Sequence, residues 1–301
     1  MIRPDFLKKG DTIAIVAPGR KINNTDLAAS VKIFESWGLN VLVGKNIFNK
    51  SHSYLSAVDP ERLSDVQDAL ENITVKAIVC ARGGYGSTRI IDQVNFDSLR
   101  KNPKWIVGFS DITVFHLKLN VLGFESMHST MPILFSKSES INSIESLRKV
   151  LFGSDEILSG PYKDINKLGV AQGEVIGGNL SLFNDALATS SDPVTKGKIL
   201  LLEEVGEYLY KIDRMINQLK RANKLRHIAG LVIGHFTDVL DTEVTFGETF
   251  EEIISGVIKE YDFPVAFGFP FGHDEPNLAW RSGGEAILNV TKDQSTLTFQ
   301  R

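Results

Sequence analysis

Hydrophobic residues in this chain fall into short, nearly unbroken runs, separated by segments whose apolar positions repeat every three to four residues. In "DTIAIVAPG" the run from Ile13 to Ala17 is stopped by Pro18 and Gly19, the pattern of a buried strand. "NNTDLAASVKIFESWG" then puts Leu27, Val31 and Phe34 on one helical face, with Asn24 or Thr25 as the expected cap and Gly38 at the far end. "NVLVG" returns as a strand, which completes a βαβ unit and predicts a parallel sheet. The alternation continues with a helix whose face carries Leu63, Val66, Leu70 and Ile73, then the strands "VKAIVCA" and "KWIVGF". This half reads as a doubly wound α/β domain over residues 1–150.

The pattern loosens after about residue 135, where one amphipathic helix lies among Ser, Gly, Pro and Asp, and residues 151–168 are expected to link two domains. From 169 to 301, "GVAQGEVIGGNL", "GKILLLEEVG" and "AGLVIGHF" are three strand-like runs separated by helical segments. "GEAILNV" and "STLTFQ" show the alternation of an antiparallel pair. The second domain is therefore expected to be a smaller mixed β/α unit.

Composition narrows the function classes. A length of 301 residues suits two domains, and 43% hydrophobic with 23% charged residues is ordinary for a globular protein. A formal net charge of −4 offers no field for nucleic acid or an anionic membrane, so neither is an expected partner. The single cysteine, Cys80, excludes an internal disulfide and a multi-cysteine metal site, and its apolar run marks it as a buried thiol. No stretch reads as a signal peptide or a membrane helix, which points to a cytoplasmic protein.

Four loops carry candidate chemistry, and all but one follow an expected strand, where open α/β sheets place their sites. "ARGGYGSTRIID" follows the strand ending at Cys80. Its glycines can expose backbone N–H groups as a phosphate cradle, as an oxyanion hole using the Gly84 or Tyr85 amide, or simply as a tight turn. No nucleotide-binding spacing supports the first option. In "KWIVGFSDITVFHL", Ser110 sits where a strand becomes a helix, either as a helix cap or as a nucleophile on a strained elbow. Gly108 matches the first glycine of G-x-S-x-G, but Ile112 stands in place of the second. "ILLLEEVGEYL" ends an apolar strand with Glu203 and Glu204. One of them could orient a histidine, while at least one of Glu203, Glu204 and Glu207 is expected to be solvated. No histidine lies at metal-ligand spacing from them, and no metal or cofactor is expected. "FGFPFGHDEPNLAWRSGG" holds His273 in a Gly/Pro-rich loop, where packing gives no reason for it. His116 lies on the helix after Ser110, His52, His227 and His235 show no supporting pattern, and His128 either lines a site or makes a core hydrogen bond. Ser110, Glu203 and His273 together supply nucleophile, orienter and base.

At these residues the chain resembles the LD-carboxypeptidase family, the serine peptidases that include muramoyltetrapeptide carboxypeptidases and microcin C self-immunity proteins. The resemblance runs from "LKKGDTIAIVAPG" through "ARGGYGSTRIID", "VGFSDIT", "GEVIGGNLSLF" and "LLLEEVGEYLYKIDRMINQL" to "FPFGH". It implies a flavodoxin-like N-terminal domain, a swivelling C-terminal β/α domain and frequent dimers. It also implies Ser110 as nucleophile, Glu203 as orienter with Glu204 where the family usually has Asp, and His273 as base. The implied oxyanion hole uses the backbone N–H groups of Asp111 and Gly84. The implied reaction removes a terminal D-alanine from a murein tetrapeptide, at an L-lysine or meso-diaminopimelate centre, with a peptidyl-nucleotide antibiotic as the alternative substrate within the family. A non-catalytic peptide- or nucleotide-binding protein is the alternative outside it. Arg82 and Arg281 are candidates for the terminal carboxylate, and Tyr85 for a further substrate contact. Two segments depart from the family pattern, "NLAWRSGG" after the histidine and "HST" at His128.

Overall fold

The computed structural model describes residues 1–154 and 157–300; residues 155 and 156 of the expected linker, and residue 301, lie outside the described residues. The first half builds β1 (Thr12–Val16), α1 (Asn24–Ser36), β2 (Asn40–Val43), α2 (Asp59–Glu71), β3 (Val75–Cys80), β4 (Trp105–Gly108), α3 (Thr113–Leu122), β5 (Ser126–His128) and α4 (Ile141–Leu151). The second half builds β6 (Leu158–Pro161), β7 (Gly169–Asn179), α5 (Leu180–Asp185), β8 (Ile199–Val205), α6 (Leu209–Arg221), β9 (Gly230–Thr237), α7 (Phe250–Ile258), β10 (Val265–Phe267), β11 (Trp280–Ser282), β12 (Glu285–Val290) and β13 (Gln294–Phe299).

The first sheet has the order β11-β5-β4-β3-β1-β2, parallel except for β11. Its order 2-1-3-4-5 is the flavodoxin-like doubly wound arrangement, whose crevice opens beyond the carboxyl ends of β1 and β3. Alternate residues of each strand feed opposite cores. Ala14, Val16, Ile78 and Ile106 pack under α2 and α3, while Ile13, Ile15, Ala77, Val79 and Trp105 pack under α1 and α4. Burial on both faces is why these strands read as continuous apolar runs. Cys80 lies in this interior as a free, buried thiol.

The second sheet is mixed, with the order β10-β9-β8-β7-β12-β13-β6; β7 to β10 run parallel and β12, β13 and β6 antiparallel. The expected hairpin of "GEAILNV" and "STLTFQ" is the β12–β13 pair. Strand β11 comes from the second half of the sequence, yet pairs with β5 of the first sheet. No single cut in the chain therefore separates the two sheets.

Local details differ from the sequence reading in two places. Asn23, not Asn24 or Thr25, caps α1, because its extended backbone lets its side-chain oxygen accept the Asp26 N–H at 2.8 Å. Ile73 does not share the buried face of Val66 and Leu70; α2 ends at Glu71 and Ile73 is 77% exposed.

The two sheets meet where α3 lies against β7. Asn179 N–H donates to Thr113 Oγ1 at 3.0 Å, and Asn120, Glu174 and Lys198 form a hydrogen-bonded cluster across the same contact. Gly178 makes this approach possible: at φ 128°, a Cβ there would sit 2.6 Å from Thr113 Oγ1. Gly178→Ala is expected to cost about 1–3 kcal/mol through overpacking and backbone strain, read as a lower denaturant midpoint. An unchanged midpoint would show that this contact yields freely.

Candidate active site

The turn after β4 raises Ser110 above the sheet. Ser110 has φ 62°, a left-handed conformation that only a few per cent of non-glycine residues adopt. A single 3₁₀ turn, Ser110–Ile112, then feeds α3, and no side chain caps that turn. The cap reading therefore fails at Ser110. Gly108 is required because a Cβ there would stand 2.9 Å from Ile112 Cγ1. The isoleucine at the second glycine position of the hydrolase pattern thus packs onto the first.

His273 Nε2 lies 3.0 Å from Ser110 Oγ, and His273 Nδ1 lies 2.7 Å from Glu203 Oε2. The three residues come from the β4–α3 turn, the end of β8 and the loop before β11. A carboxylate only accepts, so Nδ1 carries the proton and Nε2 is left to accept the Ser110 hydroxyl. Burial pushes the His273 imidazole down, but the charge of Glu203 and the hydrogen bond to it, with Glu204 and Asp238 adding to the attraction, leave it raised above the usual 6.5. Phe109 covers the ring at 4.8 Å between centroids.

Glu204 is not solvated, contrary to one reading of the acidic cluster. It is buried and accepts from Asn179 Nδ2 and from the Ser181 N–H and hydroxyl at the start of α5. Burial raises its pKa, with the neighbouring Glu203 adding to the effect. Glu207, half-buried, pairs with Lys211 at 3.0 Å.

The glycine loop after β3 lies over Ser110. A Cβ on Gly83 would sit 3.1 Å from Ser110 Cβ and 3.3 Å from Asp111 N, so only glycine lets the loop come this close. Among the described residues, neither the Asp111 nor the Gly84 N–H donates to another group. The Asp111 carboxylate, buried and raised in pKa by that burial, accepts the Ser87 N–H at 2.9 Å and ties down the far end of the loop. From the other side, the buried Arg62 donates to the carbonyls of Pro18 and Gly86 and pairs with Asp59. Both anchors escaped the sequence reading, since the loop atoms they hold, the Ser87 N–H and the Pro18 and Gly86 carbonyls, are far from Asp111 and Arg62 in the chain.

A cleft of about 520 Å³ opens here, lined by Ser110, His273, Gly83 and Gly84, with Met131, Ile133 and Leu134 forming an apolar wall. Arg82 lines it and donates to Lys21 O at 3.1 Å; burial, with the charge of Arg20, lowers its pKa. Asp26 and Lys137 also line it and were not foreseen. Arg281 does not belong to the cleft. It is buried on β11, ion-paired with Glu125 at 2.8 Å and bonded to Gln300 O, so the pairing of two distant segments consumes its charge. Tyr85 is 49% exposed and does not line the cleft.

Two other histidines are fully buried near the site. His116, buried, has Nε2 2.8 Å from Gly108 O and Nδ1 2.8 Å from Ser126 Oγ, which braces the strand under Ser110. Burial lowers its pKa to about 4. The His128 ring does not line the cleft and its nitrogens make no hydrogen bond among the described residues; it stacks on Trp280 at 4.7 Å. Among the described residues no group of His, Cys, Asp or Glu is placed to hold a metal ion, and no helix is long and apolar enough to cross a membrane.

Comparison with known proteins places the chain in a family. Residues 13–129 match the LD-carboxypeptidase N-terminal domain and residues 172–288 the LD-carboxypeptidase C-terminal domain. The Bacillus subtilis "Probable murein peptide carboxypeptidase" is 33% identical, over 98% of this chain and 94% of that protein. This chain belongs to the LD-carboxypeptidase family. It is a serine-type carboxypeptidase, a hydrolase. Another relative is the Pseudomonas aeruginosa murein tetrapeptide carboxypeptidase, 28% identical over 92% of each chain. The muramoyltetrapeptide carboxypeptidase of Oxalobacter formigenes superposes with a TM-score of 0.88 at 29% identity, over 96% of this chain and 99% of that one. The microcin C7 self-immunity protein MccF, bound to aspartyl sulfamoyl adenosine, shares the fold at 0.87 and 20% identity, over 100% of this chain and 99% of its own.

The raised imidazole sets a pH dependence. Protonated His273 cannot accept the Ser110 proton, so kcat/KM is expected to rise with pH through a midpoint above 6.5. Glu203→Gln removes the main attraction and leaves burial, which lowers the pKa; the midpoint should fall, and the rate should drop about 10²- to 10⁴-fold. A pH–rate profile of the two proteins checks this, and a midpoint unmoved by Glu203→Gln would show that Glu203 does not set the imidazole's charge.

Proposed function

We propose that this carboxypeptidase removes the terminal D-alanine from murein tetrapeptides, cutting the amide after an L-lysine or meso-diaminopimelate centre, with Ser110, His273 and Glu203 as its triad. The observation that carries the reading is the continuous chain from Ser110 Oγ to His273 at 3.0 Å and from His273 to Glu203 at 2.7 Å, on a serine held at positive φ. The names of the Bacillus, Pseudomonas and Oxalobacter relatives support the substrate class.

In this mechanism Ser110 Oγ attacks the scissile carbonyl while His273 Nε2 takes its proton. Glu203 accepts from Nδ1–H, holds the tautomer and stabilises the imidazolium. The carbonyl oxygen, now an anion, is held by the N–H groups of Asp111 and Gly84, at about 3 kcal/mol per donor. His273 then gives its proton to the departing amine of D-alanine, leaving an acyl-enzyme on Ser110. Water, deprotonated by the same imidazole, releases the tripeptide and restores the serine.

Arg82 is the group we assign to the terminal carboxylate, because it lines the cleft beside Gly83 and a guanidinium meets a carboxylate with two parallel hydrogen bonds. We place the enzyme in the cytoplasm, as a homodimer that trims tetrapeptides to tripeptides during peptidoglycan recycling; these parts rest on the family resemblance.

Incubation with a purified murein tetrapeptide is expected to release D-alanine. Ser110→Ala should abolish release, and Arg82→Ala should raise KM by about tenfold or more through the loss of a charge-assisted contact. Equal release by Ser110→Ala would sink the triad. Hydrolysis of a peptidyl-nucleotide in place of the tetrapeptide would move the substrate to the antibiotic class.

A further inference from the structure

The loop that presents His273 is fastened at both ends, and the triad chemistry does not account for one of the fastenings. On the near side, His235 N–H donates to Phe271 O at 2.8 Å and Phe269 N–H to Ile233 O at 3.1 Å, so β9 of the second sheet holds the start of the loop. On the far side the loop crosses to the first sheet's helical layer. There, Ser140, Ser143 and Ser146 lie along one buried face at the start of α4. The Glu275 carboxylate accepts the Ser140 hydroxyl at 2.6 Å and the Ser143 hydroxyl in a shorter bond. Ser143 Oγ in turn accepts the Asn277 N–H at 2.8 Å, and Ser146 Oγ accepts the Ala279 N–H at 3.0 Å. Asn277 closes the circuit, its side-chain oxygen taking the Gly272 N–H at 3.0 Å, immediately before His273.

Each fastening controls a different distance. The β9 contacts tie the loop to the sheet that carries Glu203. The α4 contacts tie it to the layer packed on the sheet that carries Ser110, and from there β11 joins that sheet beside β5. A histidine that must sit 3.0 Å from one sheet's serine and 2.7 Å from the other sheet's carboxylate needs both. Glu275 suits the second because the positive end of the α4 dipole and two hydroxyls face its carboxylate.

We propose that Glu275 and Ser143 are positioning residues, a clasp that fixes His273 opposite Ser110 across the junction of the two sheets. The proposal rests on the triad reading. It touches no reacting atom, so cutting the clasp lowers the rate of the chemical step and leaves substrate binding nearly unchanged. Displacement of a catalytic group by about 1 Å costs on the order of 10²-fold in rate.

The test is the rate at which an alkyl fluorophosphonate labels Ser110, measured beside kcat and KM for D-alanine release. Labelling needs an activated serine but not the correct peptide. Glu275→Ala and Ser143→Ala are each expected to label about 10²-fold more slowly, with kcat falling and KM nearly constant. Glu275→Gln keeps one oxygen for the serine hydroxyls and should recover most of the rate. Wild-type labelling rates in folded alanine variants, or a loss confined to KM, would overturn the clasp. Absence of labelling in the wild-type protein would overturn the triad reading, and the clasp with it. Should Glu275→Ala fail to fold, Ser143→Ala decides: slower labelling there, beside a Glu275→Gln that keeps most of the rate, supports the clasp, and a wild-type rate in Ser143→Ala overturns it.

Discussion

A carboxylate buried at the end of an apolar strand, bonded to one imidazole, is the contact on which the rest of this structure turns. Glu203 is fully buried, and its Oε1 has no hydrogen-bond partner among the described residues, so His273 is its main compensation. A buried charge without a partner costs several kcal/mol. The same attraction outweighs burial in raising the imidazole. The tautomer and basicity of His273 therefore follow from this one bond, while the ring's other nitrogen reaches Ser110 on the first sheet.

The remaining architecture serves to bring three strand ends to one point. Parallel strands bury both faces and leave their chemistry to the carboxyl-end loops, and here the parallel strands of one sheet and the parallel block of a mixed sheet meet through α3 and β7. The strain at Ser110 is held by packing on all sides: Ile112 against Gly108, His116 under the Gly108 carbonyl, and the glycine loop above. Asp111 serves twice. Its carboxylate fastens the Ser87 end of the glycine loop, and its N–H is one of the two we assign to the oxyanion.

Much of this was legible in the sequence, and what was not has a common cause. The strands of both parallel blocks announced themselves because burial on two faces leaves an unbroken apolar run. Ser110, Glu203 and His273 stood out because each follows such a run or sits in a loop without a packing reason to hold it, and the family resemblance joined them. Arg281 misled because a guanidinium near a glycine-rich loop looks like a ligand group until its partner, Glu125, is brought to it from 156 positions away. The anchoring roles of Glu204, Arg62 and Glu275 left no trace for the same reason: the groups they hold, Asn179 and Ser181, Pro18 and Gly86, and Ser140 and Ser143, are distant in sequence and leave no periodic mark. Strand β11, only three residues long, is too short for any alternation to show.

The most direct test of the triad is the proton between His273 and Glu203. A one-dimensional proton spectrum of the folded protein should show a strongly deshielded imidazole N–H resonance that is absent in His273→Ala and in Glu203→Gln, yet present in Glu204→Gln. A resonance that survives Glu203→Gln, or one that vanishes with Glu204→Gln alone, would contradict the assignment of Glu203 as the carboxylate that holds the catalytic histidine.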